Sequence, residues 1–168
     1  MYALLIDEYL SGEQLLRRAV DGVTGTQLDE HPLEGRWSIR ELVCHVADFE
    51  IIYADRMKRV IAERQPRFIG GDPDVFAAGL AYRNRSIEDE FIVINAVRCQ
   101  MDVIFQSLSR SDFQRTGMHP RDGAQTLAEL LQRITDHHHI RFVEANAERW
   151  LASLKFNRPC RPLTFIEE

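Results

Sequence analysis

Cysteine is scarce in this sequence, and the three cysteines that it has form no close pair. Cys44, Cys99 and Cys160 are far apart, and no Cys-x-x-Cys spacing occurs. An odd number of widely spaced cysteines suits free thiols better than a disulfide framework. Free thiols suit a reducing compartment, which predicts a cytoplasmic protein. Cys44 and Cys99 lie in helical patterns, and we expect both to be core or near-core residues.

Long apolar runs and basic clusters are also missing. No window of about 18 apolar residues occurs, and no basic stretch leads into an apolar run at the start, so we expect neither a membrane span nor a signal peptide. The 21 Lys and Arg residues are scattered among 26 Asp and Glu residues, giving a net charge of −5. Without a basic face, nucleic acid is not expected as a partner. The 168 residues suit a single domain, 1–168.

Two-residue alternation is absent as well, so no strand is predicted. Helical periodicity instead marks four long segments and one short segment: about 3–20, 38–63, 86–108, 126–153 and the short 74–80. Long connections over 65–85 and 109–125 separate the later helices, and we expect the tail, 156–168, to be extended. Four helices of this length with long crossings predict an all-α fold, a four-helix bundle.

Two capping boxes fix where the second and fourth long helices begin. Ser38 is followed three residues later by Glu41, and Thr126 by Glu129. In this motif the hydroxyl accepts from the amide of the third helical residue, whose carboxylate accepts from the capping residue in return.

Histidine carries the strongest chemical signal. His137, His138 and His139 are consecutive in the predicted fourth helix, and His45 shares a stripe with Leu42, Phe49 and Ile52 in the second. Imidazole is the commonest protein ligand for divalent transition metals, and bundles build metal sites from facing helices. The alternative for His45 is a hydrogen-bonded core histidine.

The spacing of the triplet leaves its ligands open. Each residue turns about 100° around a helix axis, so consecutive side chains point in three directions. The stripe of Leu127, Leu131 and Ile134 places His138 inward, with His137 at its flank and His139 facing away. A regular helix therefore offers one ligand, and a kinked helix offers two. The alternative is one core histidine and two surface histidines.

Carboxylates near His45 are the other candidates for chemistry. Asp48, one turn later, is expected to orient the imidazole or to bind metal directly. Glu50 and Asp55 are expected to face solvent. His31 and His119 are expected at the surface without a role.

The blocks that contain these histidines resemble a known family. The run from Gly35 through Trp37-Ser38 and Glu41 to His45 and Glu50, together with the run from Thr126 to His139, is similar to the DinB/YfiT-like proteins. The resemblance implies a four-helix bundle in up-down-down-up order, usually a homodimer. It implies a Zn²⁺ or Ni²⁺ site with one histidine from the second helix and two from the last. It also implies a metal-dependent hydrolase or a transferase of low-molecular-weight thiols.

One motif departs from the family pattern. The family shows His-x-x-His-His, whereas this chain has His137-His138-His139, two residues shorter. Aligned from the left, His137 is the first ligand; aligned from the right, His139 is the second. The site is therefore either rebuilt, by a kink or through His138, or degenerate and free of metal.

Two functions follow from these alternatives. An intact site predicts a divalent-metal-dependent hydrolase or thiol S-transferase that acts on a small molecule, with Asp48 or Glu50 as supporting group or general base. A degenerate site predicts a non-catalytic helical dimer that binds through exposed apolar residues: Phe68, Ile69, Phe76 and Trp150. The alternative for these four residues, which we favour, is that they pack on the bundle or in the dimer interface.

Overall fold

Four long helices pack as a bundle, as the periodicity predicts. The computed structural model describes residues 2–31 and 37–136. The bundle helices are α1 (Ala3–Ala19), α3 (Ile39–Ala62), α5 (Ile87–Gln106) and α6, which is described over Leu127–Thr135. The short helices between them are α2 (Gly25–Leu28) and α4 (Pro73–Gly79). Helices α1 and α3 each pack against both α5 and α6, so the order around the bundle is α1, α5, α3, α6. The predicted continuation of α6 and the tail, 156–168, lie outside the described residues.

Both predicted capping boxes are confirmed. The Ser38 hydroxyl accepts from the Glu41 amide at 3.2 Å, and the Glu41 carboxylate accepts from the Ser38 amide at 2.8 Å. At the start of α6, Thr126 and Glu129 make the same pair of bonds at 3.1 and 2.7 Å. Loss of such a capping hydroxyl typically costs about 1 kcal/mol.

The expectation that the chain contains no strand is wrong. Within the predicted connection 109–125, strands β1 (Thr116–His119) and β2 (Gly123–Thr126) form an antiparallel hairpin. Gly123 has a φ of 78°, a left-handed conformation that glycine adopts without penalty, and it closes the tight loop after Pro120. The strands are only four residues long, too short to show a two-residue period. A parallel bridge between Arg67 and Met118 holds the hairpin against the chain that follows α3.

Two apolar clusters form the core. One includes Tyr9, Met57 and Met101 and extends to α6. The other lies nearer the start of α3 and includes Leu42 and Ile94. Among the described residues, no helix is long and apolar enough to cross a membrane.

Cys44 is buried in α3, as expected, but the expectation for Cys99 is wrong. Cys99 is exposed on α5, because that helix turns Ile94, Arg98 and Met101 into the bundle instead.

Candidate metal centre

His45 is completely buried in α3, four residues after Glu41, the carboxylate of the capping box. Its ring lies 4.8 Å from the ring of Trp37 and 4.2 Å from the ring of Phe49, measured between centroids. The sequence stripe therefore placed this histidine correctly, on the inner side of α3. Two aromatic rings beside an imidazole keep its immediate surroundings dry.

Helix α4 closes the same side of the molecule. Its Phe76 ring lies 5.8 Å from the Phe49 ring, so Phe49 contacts both α4 and His45. The side chain of Asp72 caps α4 by accepting from the amides of Asp74 and Val75. The sequence predicted this short helix over 74–80. The Phe49 ring lies between its Phe76 and the His45 imidazole.

Asp48 lies on α3 one turn after His45, and its contacts go to Arg85. Two N–H groups of that guanidinium donate to the two Asp48 carboxylate oxygens, each at 3.0 Å. Arg85 also donates from Nε to Glu90 at 2.8 Å, and a second guanidinium nitrogen donates to the same carboxylate. The hydrogen bond to Glu90 makes the largest contribution to raising the pKa of Arg85. This cluster joins α3 to the beginning of α5.

Two uncharged groups border this ion cluster. Burial, together with the nearby Asp48 carboxylate, raises the pKa of the Tyr82 phenol. Burial also raises the pKa of the Cys44 thiol to about 12, and that thiol donates to the Tyr82 carbonyl at 3.7 Å. Both groups therefore stay protonated at neutral pH.

The expectation that Glu50 faces solvent is wrong. Glu50 is completely buried, and both of its carboxylate oxygens accept hydrogen bonds. Tyr9 donates to one oxygen at 2.5 Å, and Arg98 donates to the other from Nε at 3.1 Å and from Nη2 at 2.7 Å. The network connects α1, α3 and α5. Its hydrogen bonds occupy both carboxylate oxygens of Glu50, which a general base would need for accepting a proton. Asp55, by contrast, is exposed as expected.

The remaining histidines have defined surroundings. His31 Nδ1 lies 3.8 Å from a Glu41 carboxylate oxygen at the edge of the bundle. His119 Nδ1 accepts from the amides of Arg121 and Asp122 in the hairpin loop, and burial lowers the pKa of His119. Residues 2–31 and 37–136 contain no group of three or more potential metal ligands placed around one point. Neither histidine therefore joins His45 in such a group. His137, His138 and His139 lie outside the described residues.

Of the three described apolar residues proposed as a binding surface, two pack on the bundle, as the favoured alternative predicts. Ile69 is exposed, but Phe68 is buried and Phe76 is half-buried against the core. Phe68 is buried because it packs in front of Gly117, whose missing side chain leaves space for the ring. Trp150 lies outside the described residues.

Arg85 and Arg98 are the site residues that the sequence analysis missed. Each arginine pairs with a carboxylate on α3 that is distant in the chain: Asp48 lies 37 residues from Arg85, and Glu50 lies 48 residues from Arg98. No local spacing marks such pairs. Only the position of Arg98 on the same face of α5 as Ile94 and Met101 distinguishes it from the surface arginines.

Comparison with known proteins agrees with this architecture. The model of the DinB superfamily matches residues 9–145. A protein of Oceanobacillus iheyensis, provisionally named a metal-dependent hydrolase, is 26% identical over 87% of this chain and 88% of its own length. A relative from Bacillus licheniformis with the same provisional name is 24% identical over 86% of this chain and 84% of its own length.

A solved structure shows the same fold. It is YfiT from Bacillus subtilis, described as a probable metal-dependent hydrolase with an unusual four-helix bundle topology. The two structures superpose with a TM-score of 0.81 at 22% identity, covering 89% of this chain and 86% of that one. With a family match over most of its length and this bundle as its fold, the chain belongs to the DinB superfamily.

Proposed function

We propose that this protein is a divalent-metal-dependent enzyme that acts on a small molecule, as a hydrolase or as a thiol S-transferase. The observation that carries the proposal is His45, a fully buried imidazole on the inner side of α3, at the place where the family motif has its metal ligand. The provisional names of the relatives support the hydrolase class. The transferase class rests on the family resemblance alone.

The donor set fits Zn²⁺ or Ni²⁺. Both ions accept neutral imidazole nitrogens, and a site with three histidines leaves positions for water and substrate. We assign His45 as one ligand and take the others from His137, His138 and His139. Leu127, Leu131 and Ile134 are buried on α6, and the helical period carried on from them predicts His138 on the inner side.

When bound, such an ion acts as a Lewis acid, which supplies an acidic water or stabilises a thiolate at neutral pH. Trp37 and Phe49 exclude bulk water from the His45 ring. Asp48 is bound by Arg85 through both oxygens, and we propose that it positions α3 rather than taking a proton from substrate.

Activity before and after metal removal tests the proposal. The purified chain is stripped with a chelator and reloaded with Zn²⁺ or Ni²⁺, and two reactions are followed: hydrolysis of small esters and amides, and consumption of a low-molecular-weight thiol by an electrophile. We expect metal to restore one reaction and the His45→Ala variant to lack it. Reloaded protein that holds no stoichiometric metal and turns over neither substrate would favour the non-catalytic alternative. Activity of the stripped protein, or of the His45→Ala variant, equal to that of the reloaded wild type would contradict the proposal.

We also propose that the protein forms a homodimer. Helix α5 carries an exposed apolar stripe at helical spacing: Ile92, Ala96, Cys99 and Val103. Ile92 and Val103 are 63% and 73% exposed. Sedimentation equilibrium tests this: the wild type should be dimeric at micromolar concentration and Val103→Glu monomeric. Leu4→Glu, which changes an exposed apolar residue of α1, should not alter the mass. A monomeric wild type would contradict the proposal.

A further inference from the structure

A pocket of about 460 Å³ lies between the beginning of α3, α4 and the turn that precedes α5. Its lining combines one carboxylate, one guanidinium, one carboxamide, a phenol ring and three methyl groups: Glu41, Arg83, Asn84, Tyr82, Ala77, Ala78 and Ala81. The pocket is large enough for a small metabolite and is open to solvent on one side.

The carboxylate of Glu41 is the informative group in this pocket. Its side chain is 12% exposed, and one oxygen, Oε2, accepts from the Ser38 amide. The other oxygen, Oε1, has no hydrogen bond from the described part of the chain; the nearest cation is Arg83 Nε at 3.7 Å. Glu41 lines the pocket, and a carboxylate oxygen is a hydrogen-bond acceptor, so Oε1 can accept a donor from a ligand there.

Arg83 gives the pocket its opposite charge. Its side chain is 77% exposed and stands beside Glu41 rather than being held in a close ion pair. Because Arg83 is exposed, it can turn to a ligand carboxylate at little cost. A guanidinium binds a carboxylate through two parallel N–H groups. The neighbouring Asn84 adds an amide to the same side of the pocket.

The pocket is also close to His45. Glu41 and His45 are four residues apart on α3, a spacing that brings side chains to within about 5–6 Å of each other at Cβ. His45 itself is fully buried and does not line the pocket, so the pocket lies one helical turn from the candidate metal ligand along α3.

We propose that this pocket binds the α-amino-acid group of the substrate, with the ligand ammonium on Glu41 Oε1, the carboxylate on Arg83 and the side chain against the three alanines. The inference rests on the function proposed above and narrows its substrate class to amino acids and their simple derivatives. A molecule with only one of the two charges leaves either Glu41 or Arg83 without its partner.

Calorimetric titration of the full chain with L-norvaline tests the proposal, with butylamine and pentanoate as the matching single-charge probes. Each probe is titrated into the protein as purified and after chelation, so that binding is measured independently of metal. We expect L-norvaline to bind about tenfold more tightly than either single-charge probe, the effect of one charge-assisted hydrogen bond.

Two variants complete the test. Glu41→Gln keeps the capping geometry, since glutamine serves equally in a capping box, and should weaken L-norvaline binding about tenfold. Arg83→Ala should weaken it similarly, whereas Lys58→Ala, a change at a cation on the far part of α3, should leave it unchanged. Binding of pentanoate as tight as that of L-norvaline, or no binding of L-norvaline, would overturn the inference. If the protein binds metal but not L-norvaline, only this pocket assignment is overturned. If it binds L-norvaline but not metal, the pocket is supported and the metal-dependent function is contradicted.

Discussion

Arg98 and Glu50 form an ion pair inside the bundle, with the guanidinium 3% exposed and the carboxylate 0% exposed. Arg98 also donates to the Tyr9 carbonyl at 2.6 Å, and its guanidinium lies 4.8 Å from the centre of the Tyr9 ring. The desolvation of both charges is thus offset by several hydrogen bonds to each. The pair lies between the two apolar clusters and ties α1, α3 and α5 together.

Removing one member of this pair should be costly. Glu50→Ala leaves a buried guanidinium without its counter-charge, and the expected loss is about 3–5 kcal/mol in the free energy of unfolding. The double variant Glu50→Leu, Arg98→Met should lose less, because no buried charge remains unpaired. Urea denaturation measures both. The exposed pair of Asp55 and Arg59 provides the control, since Asp55→Ala should leave the stability almost unchanged.

Gly117 should not tolerate a side chain. A Cβ there would lie 2.3 Å from Phe68 Cζ and 3.0 Å from Val60 Cγ2, so the Phe68 ring must move. We expect Gly117→Ala to destabilise the protein by about 1–3 kcal/mol, the usual cost of overpacking. Gly79→Ala is the matched control, because no atom lies within 4 Å of the added methyl group. Similar midpoints for the two variants in thermal denaturation would contradict this account of Gly117.

The two described cysteines should differ in reactivity. Cys99 is exposed, whereas Cys44 is fully buried and burial raises its pKa to about 12. Thiolate is the reactive form, so at pH 8 iodoacetamide should label Cys99 in the monomeric Val103→Glu variant, where the proposed dimer interface does not cover it, and leave Cys44 unmodified. The Cys44 thiolate becomes more abundant as the pH rises toward that pKa, so any labelling of Cys44 should increase with pH. Peptide mass spectrometry of the native protein reads out both sites. Equal labelling at pH 8 would be inconsistent with the described burial.

Ala81 has a left-handed backbone, with a φ of 52°, in the wall of the pocket beside Glu41. Such a conformation costs a residue with a Cβ atom about 1 kcal/mol, which glycine does not incur. Ala81→Gly should therefore be neutral or stabilising in urea denaturation. Ala78→Gly, within α4, should destabilise by about 0.5–1 kcal/mol. A larger loss from Ala81→Gly than from Ala78→Gly would contradict this interpretation of the strain.

Local patterns in the sequence predicted the helices well. The capping boxes at Ser38 and Thr126 gave the starts of α3 and α6, because capping is decided by residues three apart in the chain. The stripe through Leu42, His45 and Phe49 gave the buried face of α3 for the same reason. The four-helix bundle followed from the number and length of such segments.

Features that depend on distant residues were missed. Glu50 lies about 140° around α3 from His45, outside the stripe used to define the buried face. Its burial depends on Arg98, which is 48 residues away on α5. The hairpin of β1 and β2 was missed because its strands are short and because a bridge to Met118 from the segment after α3 helps to hold it. Which members of the triplet bind metal stays a prediction, since those residues lie outside the described ranges.

The central claim is that His45 binds a divalent cation, and a metal count tests it most directly. The protein is equilibrated with Zn²⁺ or Ni²⁺, freed of excess metal, and analysed by inductively coupled plasma mass spectrometry. We expect about one ion per chain in the wild type and in His119→Gln, in which an imidazole is lost at the hairpin, and close to none in His45→Ala. Single alanine variants of His137, His138 and His139 would then identify the other ligands. A wild type without bound metal, or a His45→Ala variant that retains it in full, would contradict the account.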